Sequence, residues 1–509
     1  MKNKHLLITA ALLTGLSLYS CKKSLNTPLD SVTQTQAASS NAYLNSIVLG
    51  TYTKLQSITG NDKMLLTSEE TTDALIVPGR VGGDWADGGV WQQMYLHTFP
   101  ASHGNIINSW NDAYDAIGQI NITLGLLQGL PSTSATTYSI NELRVLRAYY
   151  YFLLVNNYGN VPLIVSSSTD ATTVKTTAAK DVFAYLVAEL KDAGPKLSAK
   201  TPAQDATQYG RMNKWGAYFL LAKLYLNQNV ILGTSDNSGY TTANTYCDSL
   251  LTSGYSLNSD YLSNFSSNNV GSTENIFVIP YDHINATGLQ FQMMTFHYNQ
   301  ANKYNFGPTG GPWNGFTTTA DYYGKYDNAD KRKAGWQAGQ QYDADGVTPL
   351  TTRGSDSSLA LNFRPLISSL YKASERDGVR NAKWQIVPGF QSQDADYALM
   401  RYADVLLMKA ELTARLGNLA GALTYTAPVR ARAGVANFNA GAFSLDSIYN
   451  ERGREFAYEG WRRQDMIRFG HYGDARVFKT ADGDKHTQLF PIPTSALQKN
   501  PNLTQNPGY

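Results

Sequence analysis

The amino-acid sequence predicts a mainly α-helical protein, in which tetratricopeptide-like helix pairs form a scaffold and a large loop-rich insertion contains short strands. Three observations lead to this fold class. Apolar residues recur every three or four positions near residues 143–153, 215–225 and 399–410, which is typical of one buried helix face. Small residues surround a Leu416-Gly417 turn between two helical stretches. From about 229 to 395, loop-forming Gly, Asn and Thr residues replace this periodicity.

The first twenty residues have the features of a secretory signal. Two lysines precede an apolar run from Leu6 to Leu18, and Cys21 follows soon after. A run of this length is too short to span a membrane. The cysteine and the leucine three residues before it resemble the bacterial lipobox, in which the cysteine is acylated and becomes the first residue of the mature chain. We therefore predict a lipoprotein signal peptide over 1–20 and lipidation of Cys21, in preference to a plain signal with an incidental cysteine.

A polar tether and then a helical region are predicted next. Residues 21–40 are rich in Ser and Thr and show no periodic pattern, so we expect a linker that separates the body from the membrane. Helical periodicity begins at Asn41 and continues through an N-terminal helical part over 41–230. Gly159 can end the helix around residues 143–153, and Pro162 prevents it from resuming.

The remainder of the chain divides into the insertion, 231–395, and a C-terminal part, 396–509. A short apolar run, Ile276–Ile279, predicts a strand within the insertion. The C-terminal part starts with a helix from about Leu399 and continues with a second helix to about Ala433. Its last twenty or so residues contain four prolines, so we expect extended chain held by asparagine side chains and by packing of Phe490, Leu503 and Tyr509.

Charge and cysteine content argue against some classes of function. The sequence has 42 basic and 40 acidic residues, and this balance without a basic stripe argues against a nucleic-acid ligand and favours a neutral one. If Cys21 is lipidated, Cys247 has no disulfide partner, and we predict that it is a buried apolar residue. Motifs for nucleotide binding, serine hydrolysis and metal ligation are absent from the sequence, so we predict no cofactor and no metal. Asp343–Gly346 is predicted to be a turn, because a calcium loop needs its glycine elsewhere and a glutamate downstream.

A charged segment near 451–468 has two interpretations. Glu451, Glu455 and Glu459 are spaced by four residues and interleaved with arginines, which predicts a structural ion-pair network on one helix. A glycosidase would need two carboxylates on either side of a sugar, about 5–10 Å apart, and carboxylates one turn apart face the same way. We prefer the structural interpretation, and we extend it to Glu69, Glu70 and Asp73.

Several segments resemble signature segments of the SusD/RagB family, the nutrient-uptake lipoproteins of the Bacteroidetes outer membrane, and they occur in the family's order. The segments are Leu146–Val155, Tyr158–Leu163, Gly210–Ala217, Arg401–Glu411, Arg430–Gly434, Glu451–Arg468 and Leu489–Tyr509. Together with the lipobox they extend over most of the chain.

This resemblance implies a function in binding and not in catalysis. Family members capture oligosaccharides at the cell surface and deliver them to a SusC-like TonB-dependent transporter in the outer membrane, for which they act as a lid. The implied location is the outer membrane, with a lipid anchor and the body facing the exterior. Two alternatives remain: the same role with peptide ligands, as in the RagB branch, and a lipid-anchored glycoside hydrolase.

The resemblance also implies where a ligand would bind. In the family, an arc of aromatic rings with a few polar side chains comes from a loop before the second long helix and from loops of the insertion. The 33 tyrosines and 8 tryptophans of this chain suit such a surface, although most are expected in helix packing. Glycines at 82, 83, 310 and 311 would keep the loops irregular. For Trp85 and Trp313 the alternative is a buried loop anchor. The predicted ligand-binding residues are Arg80, Asp84, Trp85, Tyr298, Tyr304, Trp313 and Asn314.

Overall fold

The structure is a computed structural model that describes residues 40–308, 310–483 and 485–509. The predicted signal peptide, the lipidation site Cys21 and nearly all of the predicted tether lie outside the described residues. Within the described residues, no helix is long and apolar enough to cross a membrane.

Helices make up most of the regular structure, as predicted. The helices of the N-terminal half are α1 (Asn41–Tyr52), α2 (Met64–Glu69), α3 (Val90–Leu96), α4 (Gly104–Gln128), α5 (Ser134–Tyr158), α6 (Ala179–Ala193), α7 (Lys214–Leu226), α8 (Gln228–Leu232) and α9 (Ser238–Leu251). The helices that follow are α10 (Phe291–Thr295), α11 (Ala301–Tyr304), α12 (Ala320–Tyr323), α13 (Tyr402–Arg415), α14 (Leu419–Arg432), α15 (Leu445–Glu455), α16 (Arg462–Phe469) and α17 (Thr494–Lys499).

Short antiparallel strand pairs supplement the helices. The strands are β1 (Val161–Pro162), β2 (Thr176–Thr177), β3 (Asn275–Ile279), β4 (Trp336–Gln337), β5 (Gly339–Gln340), β6 (Asn362–Phe363), β7 (Arg380–Asn381) and β8 (Tyr397–Arg401). They pair as β1–β2, β3–β8, β4–β7 and β5–β6. The β3–β8 pair, with Val278 opposite Ala398, joins the two ends of the loop-rich region. This pairing confirms the strand predicted at Ile276–Ile279.

The scaffold consists of helices that pack against their neighbours. Helix α4 packs on α5, α5 on α6, α7 on α9, and α13 on both α9 and α14, which confirms the predicted helix pairs. Local sequence sets their ends: the Asn213 side chain accepts hydrogen bonds from the amides of Trp215 and Gly216 at the start of α7. Gly159, with a φ of 69°, ends α5 as predicted. Leu146, Tyr150 and other apolar residues of these helices form one large core.

Three boundaries differ from the sequence-based prediction. Helix α9 lies inside the predicted insertion, 231–395, but packs between α7 and α13, so the loop-rich region starts after it. Residues 397–401, predicted in part as helix, form the fully buried strand β8. The predicted helix at 451–468 is two helices, because Tyr458 and Gly460 have positive φ values between them.

The three glutamates of this segment lie in a buried ion-pair network, as predicted. Their main partners come from other parts of the chain: Arg332 and Arg430 contact Glu451, Arg401 and Arg432 contact Glu455, and Lys383 and Arg401 contact Glu459. Glu455 and Glu459 are therefore enclosed by cations and are inaccessible to a sugar, which argues against the catalytic pair considered above.

The acidic residues of the earlier segment only partly follow the prediction. Asp73 forms an ion pair with Arg462, with 2.7 Å between Oδ1 and Nε. Glu69 instead accepts the amide of Arg462, and Glu70 accepts a hydrogen bond from Asn105. Burial raises the pKa of Glu69 to about 7 and also raises that of Glu70. The ion-pair interpretation is thus wrong for these two buried carboxyl groups.

The C-terminal tail runs over the scaffold mostly as extended chain. Asn506 donates hydrogen bonds to the carbonyls of Tyr158 and Phe490, and the ring of Phe490 is fully buried. Helix α17, which begins directly after Pro493, is an exception to the predicted absence of helix in the tail.

Two smaller predictions are also confirmed. Cys247 is buried, and burial raises the pKa of its thiol to about 12, so it is a poor nucleophile. Residues 343–346 form a turn in which the Asp345 carboxylate accepts the amides of Val347 and Thr348. No group of residues suited to hold a metal ion occurs in the described parts of the chain.

Candidate functional site

The loop before α3 has an unusual backbone that turns Trp85 back toward the insertion. Gly82 and Gly83 have φ values of 96° and 99°, which only glycine adopts readily. Trp85 and Asp87 also have positive φ, at 59° and 36°. Strained residues of this kind persist where surrounding contacts fix them, and they are frequent at ligand sites.

Trp85 is fixed by contacts with the insertion. Its indole nitrogen donates to the carbonyl of Trp313 at 2.6 Å, and its ring lies 5.1 Å from that of Trp91 and 5.6 Å from that of Phe316. The ring lies so close to Gly315 that a Cβ at that position would be 2.7 Å from Cδ2 of Trp85 and nearer still to Cε2 and Cζ2. Trp85 is only half-buried, so it is both a loop anchor and part of the surface.

An open cavity of about 260 Å³, which we call the aromatic groove, lies beside these rings. It is lined by Asn61, Asp84, Trp85, Asp87, Trp91, Tyr298 and Trp313. The structure thus brings together Asp84, Trp85, Tyr298 and Trp313 of the predicted site. Indole and phenol rings next to carboxylate and amide groups can contact the apolar face of a ligand and hydrogen-bond its edge.

Arg80 and Asn314 lie beneath the groove and not on its surface. Arg80 is 1% exposed and Asn314 is fully buried. The Arg80 guanidinium donates to the carbonyls of Asn314, Gly315, Ser374 and Asp377, so it holds the loops together from below. The prediction that these two residues contact a ligand directly is therefore wrong. Their polar side chains donate hydrogen bonds to buried carbonyl groups of the loops. The sequence alone does not distinguish this role from ligand binding.

Arg353 links the groove to a buried acidic residue. Its guanidinium lies 3.6 Å from the ring centroid of Tyr298, forms an ion pair with Asp84, and contacts Glu375 at 2.7 Å. Glu375 also accepts a hydrogen bond from His297 at 2.9 Å. Burial alone would raise the pKa of Glu375, but the hydrogen bonds from His297 and Arg353 lower it to about 2. Arg353 thus covers one face of Tyr298 and fixes the loop that contains Asp84.

The structure does not place Tyr304 in the groove lining. The ring of Tyr304 packs 5.0 Å from Phe296, and its hydroxyl accepts a hydrogen bond from Gln337. Sequence reasoning missed Asn61, Asp87 and Trp91. The indole of Trp91 donates to Asp87 at 2.7 Å. The spacing of four residues between Asp87 and Trp91, so close to Trp85, is a signal that could have identified both residues. For Asn61 the sequence gives no signal.

Two larger cavities lie outside the aromatic groove. One, of about 420 Å³, lies between α4 and the C-terminal tail and is lined in part by Ile117, Ile122 and Leu503. The other, of about 380 Å³, is lined in part by Asp73, Lys325 and Arg476, and Asp73 and Lys325 form an ion pair at 3.3 Å. The second cavity is also lined by the tyrosines Tyr95, Tyr322 and Tyr449, but their rings are buried, whereas Trp85, Tyr298 and Trp313 of the aromatic groove are partly exposed.

Comparisons with known families match both ends of the chain. Residues 373–509 match the family described as "SusD family", and residues 24–226 match the family described as "Starch-binding associating with outer membrane". Together the two matches leave out mainly the loop-rich region that supplies part of the groove.

Individual relatives match over most of their length. The chain is 25% identical to the starch-binding protein SusD of Bacteroides thetaiotaomicron over 439 residues, covering 78% of this chain and 77% of that protein. It is 26% identical to the SusD-like protein P25 of Formosa agariphila over 438 residues, covering 80% of each.

Solved structures share the fold. A surface glycan-binding protein A from Bacteroides thetaiotaomicron, in complex with laminarihexaose, superimposes with a TM-score of 0.72 at 22% identity, covering 91% of this chain and 99% of that one. A SusD superfamily protein from Parabacteroides distasonis gives a TM-score of 0.73 at 21% identity, covering 92% and 99%. With its fold, its two family matches and its relatives in agreement, the chain belongs to the SusD/RagB family.

Proposed function

We propose that this protein is a cell-surface glycan-binding lipoprotein that captures oligosaccharides in the aromatic groove. The observation that carries the proposal is the grouping of three indoles and Tyr298 with Asp84, Asp87 and Asn61 around one open cavity. Sugar rings have flat C–H faces that pack on aromatic rings, and their hydroxyls hydrogen-bond to carboxylates and amides. The starch-binding relative and the laminarihexaose-bound structural neighbour support a glycan ligand.

The proposal includes delivery of the captured glycan to a SusC-like TonB-dependent transporter, for which this protein acts as a lid. The family match described as associating with the outer membrane supports this location. Acyl chains on Cys21 would supply the attachment, and more than one chain is needed for a stable anchor because each buried methylene contributes about 0.8 kcal/mol.

Isothermal titration of the purified protein against a panel of neutral glycans and a peptide pool tests the ligand class. We expect binding of at least one glycan and no binding of the peptides. Binding of peptides alone would favour the RagB-like alternative. Incubation with the bound glycan, followed by analysis of its length, tests hydrolysis; shortened product would contradict a purely binding role.

Trp85→Ala and Trp313→Ala are each expected to weaken glycan binding by about 1–3 kcal/mol, because each removes a partly exposed ring of the groove. Both rings are half-buried and lie outside the helix pairs, so the variants should remain folded. Titration beside thermal denaturation measures both effects. Tyr371→Ala, which removes an exposed ring that does not line the groove, is the matched control. A large fall in Tm with unchanged affinity would show that the two tryptophans are loop anchors only.

Cys21→Ala is expected to release the protein from the membrane without unfolding it. The described residues contain no membrane-spanning helix, and the acyl chains are the proposed anchor. Fractionation of cells that lack the transporter partner measures this. The lipid-anchor proposal would fail if the variant still sedimented with outer membranes there.

A further inference from the structure

The charged groups that line the aromatic groove are carboxylates. Asp84 and Asp87 stand on the same loop as Trp85, and Asp84 and Asp87 are both at least partly exposed. No lysine, arginine or histidine belongs to the lining, as far as the described residues show. Asp87 uses Oδ2 to accept the Trp91 indole, which leaves Oδ1 without a hydrogen bond from the described protein groups. A ligand therefore meets two carboxylates and neutral rings.

The nearby cation, Arg353, offsets only part of this charge. The Arg353 side chain is 36% exposed and contacts both Asp84 and Glu375, so one guanidinium faces two carboxylates. His297, on the other side of Glu375, is buried in a position that lowers its pKa, so the imidazole is neutral at pH 7.

The cations below the groove are also committed to other groups. Arg80 and Arg380 are buried, and both donate to loop carbonyls, including that of Asp377. The carboxylates of Glu375, Asp377 and Asp356 lie in the same buried layer. Asp84 and Asp87 are the charged residues of the lining and Arg353 is the cation in contact with them, so the groove surface keeps a net negative charge.

Resting on the proposed glycan-binding function, we propose that the aromatic groove selects uncharged glycans and rejects glycans that contain carboxylate or sulfate groups. A hydroxyl of a neutral sugar can donate to Oδ1 of Asp87, whereas an acidic sugar would place a third anion beside two carboxylates. The charged rim thus serves as a filter for ligand charge, while the rings provide contact area that is similar for both kinds of sugar.

The test compares glycans that share one backbone and differ only in charge. Laminarihexaose and a starch-derived hexasaccharide are each prepared in three forms: unmodified, oxidised to carboxylates at C6, and aminated at C6. Titration calorimetry of the full-length protein measures the affinity of each form at low and high salt. The carboxylated form should bind at least about tenfold more weakly than the neutral form, and the aminated form should bind at least as tightly as the neutral one.

Salt and charge-removing variants test the cause of this difference. Raising the ionic strength should reduce the ratio between neutral and carboxylated forms, because the Debye length shortens to about 3 Å at 1 M salt. Asp84→Asn/Asp87→Asn should reduce the same ratio at low salt. Asp115→Asn/Asp181→Asn, which removes two exposed carboxylates on α4 and α6, is the matched control and should leave the ratio unchanged.

The outcomes separate charge selection from glycan binding itself. Equal affinity for carboxylated and neutral forms would overturn the charge filter and leave the proposed function in place. A ratio that the Asp84/Asp87 double variant does not alter would also overturn it, since another feature would then discriminate. If neither backbone bound in any form and the neutral panel also failed, glycan binding at the groove would be overturned and the charge filter with it.

Discussion

Glu455→Gln is expected to lower the free energy of unfolding by about 3–5 kcal/mol, the range for removing one partner of a buried ion pair. Glu455 is fully buried and contacts the guanidinium groups of Arg332, Arg401 and Arg432. Glutamine keeps the volume of the side chain but lacks the negative charge, and its amide hydrogens would face three cations. Denaturant unfolding followed by circular dichroism measures the change.

The pH dependence of this effect has a definite sign. Burial alone would raise the pKa of Glu455, but Arg432, Arg401 and Arg332 lower it to about 2. A carboxyl group whose pKa is lower in the folded state than in the unfolded state stabilises the fold above its ordinary pKa, and this contribution is lost as the pH falls through the lower value. The difference in stability between wild type and Glu455→Gln should therefore be largest above about pH 5 and shrink toward pH 2.

Asp446→Asn provides a control on the same helix. Asp446 is exposed, and within the described residues its one ion pair is a 3.3 Å contact with His471. Its loss should cost less than about 1 kcal/mol, as is usual for surface pairs. If Glu455→Gln changed stability no more than Asp446→Asn does, the buried network would contribute specificity and not stability.

The network shows which part of the fold can be read from the sequence. The spacing of Glu451, Glu455 and Glu459 correctly predicted structural ion pairs. Glutamates one helical turn apart repel one another, and the interleaved arginines indicated that cations compensate this repulsion. Their partners at 332, 401 and 432 were not predicted, since Arg332 lies in the insertion and Arg401 and Arg432 lie in earlier elements of the C-terminal part, and only tertiary packing brings them to the glutamates. Helix periodicity identified the scaffold for the same reason: it is a local property.

The groove was predictable only at the level of its loops. The family resemblance indicated the loops that contain Trp85, Tyr298 and Trp313, and the structure places all three in one lining. Arg80 is buried, whereas Asp84, four residues later on the same loop, is partly exposed. The sequence of the loop has no periodic pattern that indicates this difference in exposure. Arg353 was missed because its partners Asp84 and Glu375 come together only in the folded loops.

Gly315→Ala is expected to abolish glycan binding in the groove while leaving the helical scaffold folded. A Cβ at this position would overlap the ring of Trp85, so the ring would have to leave its place and give up its hydrogen bond to the Trp313 carbonyl. Gly315 does not have a positive φ, so alanine adds no backbone strain, and the atoms that its Cβ would meet first are those of the Trp85 ring. We expect a loss of more than about 3 kcal/mol in binding, since Trp85 and the loop with Asp84 are displaced together, and a destabilisation of about 1–3 kcal/mol from overpacking.

A double-mutant cycle with Trp85→Ala decides whether the clash is the cause. Trp85→Ala removes the ring that the new methyl group would meet, so adding Gly315→Ala to it should cost little further binding or stability. The two changes should therefore be strongly non-additive, as expected for residues in direct contact. Calorimetric titration and thermal unfolding of wild type, both single variants and the double variant complete the cycle. Additive losses would mean that Gly315 acts through its backbone or through Phe316, and that the close approach of Trp85 to Gly315 does not shape the groove.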